Sequence, residues 1–211
     1  MKNNDLFRRL LYIAYKHNLS HIGSCLTALP IIDEIYEHKH EYEPFILSSG
    51  HAGLALYVVL EKYEGKNAEE LYLKHGVHPN RDIHNGLWCS TGSLGHGIGI
   101  AVGYALSHRP RKVHVLLSDG ECAEGSVYEA FNVIREQRLS NIHIHINFNG
   151  WGAYRKITMK HLLPLTTIVD DICDVTVHKT TLPDTSFLSG LQAHYSVMTQ
   201  ADYQFITNYY K

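Results

Sequence analysis

Two polar residues close two apolar runs of the chain at a spacing that could hold a divalent cation. Asp119 follows Val113-His114-Val115-Leu116-Leu117-Ser118, and Asn149 stands 30 residues further on, after the run that begins Ile142-His143-Ile144-His145-Ile146. If both runs are neighbouring parallel strands, ligands sit beyond their carboxyl ends and the two side chains converge at one rim. A carboxylate, an amide oxygen and a nearby backbone carbonyl are hard oxygen donors suited to Mg²⁺ or Ca²⁺. They leave positions for two oxygens of a diphosphate and a water. Gly120 permits a sharp turn after the carboxylate, and the following helix can present its N-terminal dipole to an anion. Taken alone, Asp119-Gly120 and Asn147/Asn149 read equally well as turn formers.

Histidine is the other candidate chemistry, with 16 in the chain. His21 lies in the polar turn Ser20-His21-Ile22-Gly23-Ser24, His51 follows Ser49-Gly50, and His78 precedes Pro79. Imidazoles placed this way can move protons near pH 7. His143 and His145 alternate onto one face of a strand, as a metal pair would. A parallel strand packed on both faces makes them half-buried packing residues instead. His38, His40, His108, His114, His161 and His178 show no ligand-like spacing and read as solvated or strand positions. Cys122, beside the Asp119 turn and without an adjacent base, reads as a small packing residue.

The elements that must position these groups follow from periodicity. Asp5 to His17 places Leu6, Leu10 and Ile13/Ala14 on one helical face, and a second helix runs from about Ala28 to His38. Phe45 to Leu47 is a short apolar stretch, followed by a helix from Ala52 to Tyr63. Residues 64–88 read as loop-rich, with His75, Gly76, His78, Pro79 and Asn80. Four glycines, Gly95, Gly97, Gly99 and Gly103, are costly in a helix that extends to Ser107. They make sense where backbone or ligand approaches closely. Strand 113–117, amphipathic helix 124–138 and strand 142–146 form a βαβ unit, which implies a parallel sheet. A further strand is expected at Val175-Thr176-Val177, then a Tyr-rich tail from Tyr203 to Lys211.

Taken in order, His21-x-Gly, Ser49-Gly-His51, His78-Pro79, Thr91-Gly92-x-Leu94-Gly95-x-Gly97, Asp119-Gly120-x4-Gly125 and Asn149 resemble the N-terminal, diphosphate-binding half of transketolases. The resemblance runs from about Leu6 to Gly152, with an echo at Ala193-His194-Tyr195. The Asp119-to-Asn149 spacing occurs in other thiamine enzymes too, whereas the histidine turns and the Thr-Gly-x-Leu-Gly loop are narrower. The resemblance implies an α/β fold, a parallel sheet flanked by helices, that binds thiamine diphosphate. It implies that Asp119, Asn149 and the carbonyl of Trp151 hold Mg²⁺ or Ca²⁺, and that Gly120 lies against the diphosphate. Gly92 and Leu94 would line the cofactor site, and His51 and His78 would approach the diphosphate or the reacting carbon. His21 and His194 would meet the substrate, and Glu124 would help join two halves at the cofactor. Ser118, Ile22, Ser93 and His96 depart from the family's usual glycine, proline, proline and glutamine, but no metal ligand is lost.

Length sets the remaining expectations. The chain reads as one diphosphate-binding domain over 1–211, with a shortened C-terminal third from about 152. The 211 residues leave no room for the pyrimidine-binding domain that carries the activating glutamate in this family. The resemblance therefore implies one subunit of a split transketolase-like transferase. It would be completed by a C-terminal, pyrimidine-binding subunit, assemble as an α2β2 hetero-oligomer, and pass a two-carbon ketol unit between sugars or sugar phosphates. The alternatives are a non-catalytic scaffold of the same fold and a deoxyxylulose-phosphate-synthase-type subunit. Hydrophobic residues at 45% and charged residues at 19% fit a folded globular chain. A formal charge of −2 with no basic block argues against nucleic acid. No apolar run spans a membrane, and the N-terminus lacks the order of a signal peptide. The four dispersed cysteines are then expected to be reduced thiols in the cytoplasm.

Overall fold

The computed structural model describes residues 3–152 and 155–211. Four strands, β1 (Phe45–Leu47), β2 (Val113–Ser118), β3 (Ile142–Phe148) and β4 (Asp174–Lys179), form one sheet in the order β1-β2-β3-β4. Every pairing is parallel, with His114 opposite His143 and Leu116 opposite His145. β2 is buried along its whole length, so both faces need an apolar cover, as parallel sheets require.

Helices supply that cover in two layers. On one face lie α1 (Asn3–Lys16), α2 (Ile22–His38), α3 (Gly53–Glu64) and α4 (Ala68–His75), which share a core with Phe45, Leu47 and Leu116. Leu54 to Leu60 of α3 are all buried, so this helix is apolar on every side. On the other face α5 (His96–Ser107), α6 (Gly125–Gln137) and α7 (Met159–Thr166) pack over Val113, Val115, Leu117, Ile142, Ile144 and Ile146. The C-terminal helix α8 (Gln200–Tyr209) returns to α1. There Tyr203 stacks on Tyr15 at 4.4 Å and Tyr210 stacks on Phe7 at 4.0 Å.

The βαβ unit and the parallel sheet agree with the sequence. Three readings change. Segment 64–88 is not all loop: α4 occupies Ala68–His75, and the Asn67 side chain caps the N–H groups of Glu69 and Glu70. That N-cap, the acidic first turn and Gly76 after the helix are ordinary start and stop signals. Eight residues of weak amphipathicity hide them from a search for periodicity. Helix α2 begins at Ile22 rather than Ala28, and Pro30 lies inside it. Of the four glycines, Gly97 packs against backbone, since a Cβ there would lie 2.5 Å from Ser48 Cα. Gly99 and Gly103 face open space, so close approach within the chain does not explain them. Among the described residues, no helix is long and apolar enough to cross a membrane.

Candidate functional site

Because β2 and β3 are adjacent, the residues that follow them meet at the carboxyl edge of the sheet. Asp119 is 1% exposed. Its Oδ1 accepts the Gly120 N–H at 2.9 Å and its Oδ2 accepts the Gly150 N–H at 2.7 Å. Burial pushes this carboxyl up to about 6, against the pull of those backbone donors. Asn149 Oδ1 accepts the Trp151 N–H at 2.9 Å, and the loop closes through Ile157 N–H to Gly150 O and an isolated bridge from Trp151 to Lys156. Asp119, Asn149 and Trp151 thus belong to two turns fastened to each other. Each carboxylate oxygen keeps a lone pair after accepting one N–H. A buried carboxylate beside amide and carbonyl oxygens fits a hard divalent cation, whose charge would offset the desolvation of Asp119.

The four histidines singled out in sequence come together. His21 lies 4.4 Å from His194, 5.8 Å from His51 and 6.3 Å from His78 between ring centroids, and His51 lies 5.5 Å from His194. His21 sits in the left-handed region at φ 61°, just before α2, and its N–H donates to His194 O at 3.1 Å. The Ser20 hydroxyl pairs with His21 Nδ1 at 2.7 Å, which leaves Nε2 available for another partner. Burial, with the neighbouring imidazoles His194 and His78, lowers His21 to about 4. Burial first, then His194, His21 and His78, lowers His51 to about 3. These rings are neutral at pH 7, able to accept or donate one hydrogen bond per nitrogen. A small cavity joins His21 and His194 to the metal-type loop, since both line it together with Asn149 and Trp151.

The glycine-rich loop closes the third side. Gly92 adopts φ 140° with its α-carbon against the His78 ring, where a Cβ would lie 3.2 Å from Cγ. Leu94 is half-buried in the same loop. Gly95 turns into α5 at φ 81°, next to Glu124, which precedes α6. Glu121 went unnoticed in sequence, although it is wholly buried. Its Oε1 accepts the Ser48 hydroxyl at 2.6 Å and the Gly95 N–H at 2.7 Å, and its Oε2 accepts the Ser118 N–H at 3.3 Å. Burial pushes it up to about 7. One carboxylate therefore ties the end of β1, the glycine loop and the end of β2. The only sequence signal is a carboxylate two residues after the one that ends the strand. Cys122 is buried in the apolar core, as its reading implies.

The remaining histidines are not all solvated or packing residues. His114, His143 and His145 bring one ligand nitrogen each within 4.8 Å of one another, and His178 joins them. Spacing along one strand could not show this, because the group is assembled across three strands. His161 accepts the Thr158 N–H at 2.9 Å at the start of α7.

No family model matches the chain. It is 31% identical over 162 residues to one subunit of an apulose-4-phosphate transketolase from Phocaeicola vulgatus, covering 67% of this chain and 57% of that protein. It is 28% identical over 165 residues to human transketolase, covering 69% of this chain and 26% of that protein. A crystal structure of transketolase from Campylobacter jejuni superposes with a TM-score of 0.71 at 20% identity, over 92% of this chain and 39% of the other. The chain thus spans little more than half of the bacterial subunit's length and about a quarter of the human protein. It is similar in sequence to the transketolases and shares the parallel, helix-flanked fold of the solved one.

Proposed function

From this kinship we propose that the chain is the diphosphate-binding part of a thiamine diphosphate-dependent transketolase-type transferase, completed by a separate pyrimidine-binding chain. The relative from Phocaeicola vulgatus is named as one subunit of a transketolase, which supports the split arrangement. The observation that carries the reading is the clustering of His21, His51, His78 and His194, of which His21 and His194 line a cavity bordered by Asn149 and Trp151. Four positions far apart in sequence meet beside the one rim where a metal diphosphate fits.

In this reading Asp119, Asn149 and the Trp151 carbonyl hold Mg²⁺ or Ca²⁺, and Gly120 lies against the diphosphate. Gly92 by its backbone and Leu94 by its side chain line the cofactor. Bound thiamine diphosphate supplies a nucleophilic carbon and an electron sink for cleaving a ketose and extending an aldose by two carbons. The chain's own residues bind, orient and move protons. His51 and His78 donate hydrogen bonds where negative charge develops on oxygen. His21 and His194 exchange protons with substrate hydroxyls, a task for which neutral rings are prepared. Glu124, at the start of α6, contacts the partner chain beside the cofactor. Substrates are sugars or sugar phosphates, and the four cysteines, all free, suit a cytoplasmic enzyme.

Calorimetric titration of thiamine diphosphate with Mg²⁺ tests this, first on the chain alone and then with its pyrimidine-binding partner. Tight binding and ketol transfer in the mixture, both abolished by Asp119→Ala, are expected. Binding that survives Asp119→Ala, or no transfer from any ketose in the reconstituted pair, would overturn it.

A further inference from the structure

A second cluster of chemistry lies near the amino ends of β2 and β3, away from the rim that carries Asp119. His114 is the second residue of β2, and His143 and His145 are the second and fourth of β3. All three project on the α2 side of the sheet, where a cavity of about 510 Å³ is bounded also by Glu34, Ile35 and His38 of α2. His114 and His145 are buried and His143 is half-buried.

We propose that His114, His143 and His145 form a binding site for a divalent transition metal, Zn²⁺ foremost, with a fourth position open to the cavity. His114 Nδ1 and His145 Nε2 stand 3.3 Å apart. That is long for a hydrogen bond, whose usual range ends near 3.2 Å. It is the separation of two nitrogens on one tetrahedral ion, about 3.3–3.4 Å when each metal–nitrogen bond is about 2.0–2.1 Å. The third ring joins within the same 4.8 Å envelope, stacked on His145 at 4.0 Å between centroids.

Each ring also has a partner for a second nitrogen or lies beside one, the pattern that fixes tautomer and orientation in histidine metal sites. Glu43 Oε2 lies 3.4 Å from His114 Nε2, His178 Nε2 lies 3.0 Å from His145 Nδ1, and Thr176 Oγ1 lies 2.9 Å from His143 Nε2. Imidazoles select Zn²⁺, Cu²⁺ or Ni²⁺ over Mg²⁺ and Ca²⁺. The site is therefore chemically separate from the oxygen-donor rim at the opposite end of the strands. An ion there would fasten β2 to β3 and, through Glu43, to the segment entering β1.

The competing arrangement is a metal-free chain of hydrogen bonds from His178 through His145 and His114 to Glu43. Titration of Zn²⁺ into the metal-stripped full chain, with Mg²⁺ in excess, separates the two. Expected is one Zn²⁺ per chain bound at micromolar concentration or tighter, and at least tenfold weaker in His145→Gln and in His143→Gln. The site should survive in His51→Gln, which disables the other histidine cluster. Co²⁺ in place of Zn²⁺ should give the visible absorption of a tetrahedral site, lost in His143→Gln. His143 is only half-buried, so that variant remains informative if His145→Gln does not fold. The proposal is overturned if the chain binds no Zn²⁺ in this range. It is also overturned if the bound ion persists in His143→Gln and disappears in His51→Gln.

Discussion

His51 shows how one half-buried side chain couples the site to the stability of the fold. The native state holds this ring neutral down to about 3, whereas an unfolded chain protonates it near 6.5. Protons therefore favour unfolding. The contribution of His51 is fully present above about pH 6.5 and declines as the pH falls from there. Linkage gives a loss of about 1–2 kcal/mol between pH 7 and pH 5 from this ring. Urea midpoints measured across that range should show it, and His51→Gln should flatten the slope. Glu121 acts differently, as the acceptor for three buried donors. Glu121→Ala strands the Ser48 hydroxyl and the N–H groups of Gly95 and Ser118, at a cost of about 3 kcal/mol or more. Glu121→Gln keeps an oxygen for the first two and should lose less than half as much in the same measurement. The site's histidines were legible because each sits in a short turn of distinctive composition. Glu121 was not, because its partners come from three segments that only the folded sheet brings together. The same holds for His114, whose neighbours His143, His145 and His178 lie on the two strands beyond it.

At the scale of elements, the long buried pieces were readable and the short polar ones were not. β2, β3 and α6 declare themselves by runs or periods of apolar residues that both layers of helix must cover. α4 rests on a cap and two buried side chains, Ala68 and Leu71, too little apolar surface for a periodicity. Helix α5 carries the sharpest test of what its glycines are for. Gly97→Ala drives a Cβ to 2.5 Å from Ser48 Cα, and backbone must move, so a loss of about 1–3 kcal/mol is expected. Gly99→Ala and Gly103→Ala place a methyl group in open space within the helix. Relative to glycine each should stabilise the isolated chain, by about 0.5–1 kcal/mol. Thermal unfolding of the three variants side by side checks both signs. Destabilisation at Gly99 would mean that α5 is packed more tightly than its open surroundings imply.

At the scale of the whole molecule, that unused freedom at Gly99 and Gly103 points outward. Ile100 and Val133 are exposed at 38% and 36%. With Gly95, Gly99, Val102 and Ala130 they border an apolar groove of about 480 Å³ between α5 and α6. The groove is continuous with the candidate site, because Gly95 both turns into α5 and donates to Glu121, and Glu124 packs beside Gly95. In the split enzyme proposed above, this groove would be the surface that meets the pyrimidine-binding chain: small residues on α5 would let a partner approach closely, and the apolar rim would lose its contact with water on assembly. Ile100→Glu and Val133→Glu would place charges in that contact while touching neither the histidine cluster nor the Asp119 rim. The isolated variants should unfold within about 0.5 kcal/mol of the parent, as surface changes do. Their affinity for the partner chain, read by analytical ultracentrifugation, should fall at least tenfold, and ketol transfer should fall with it. Undiminished assembly would place the partner on another face and leave the exposed apolar side chains of α5 and α6 without a role.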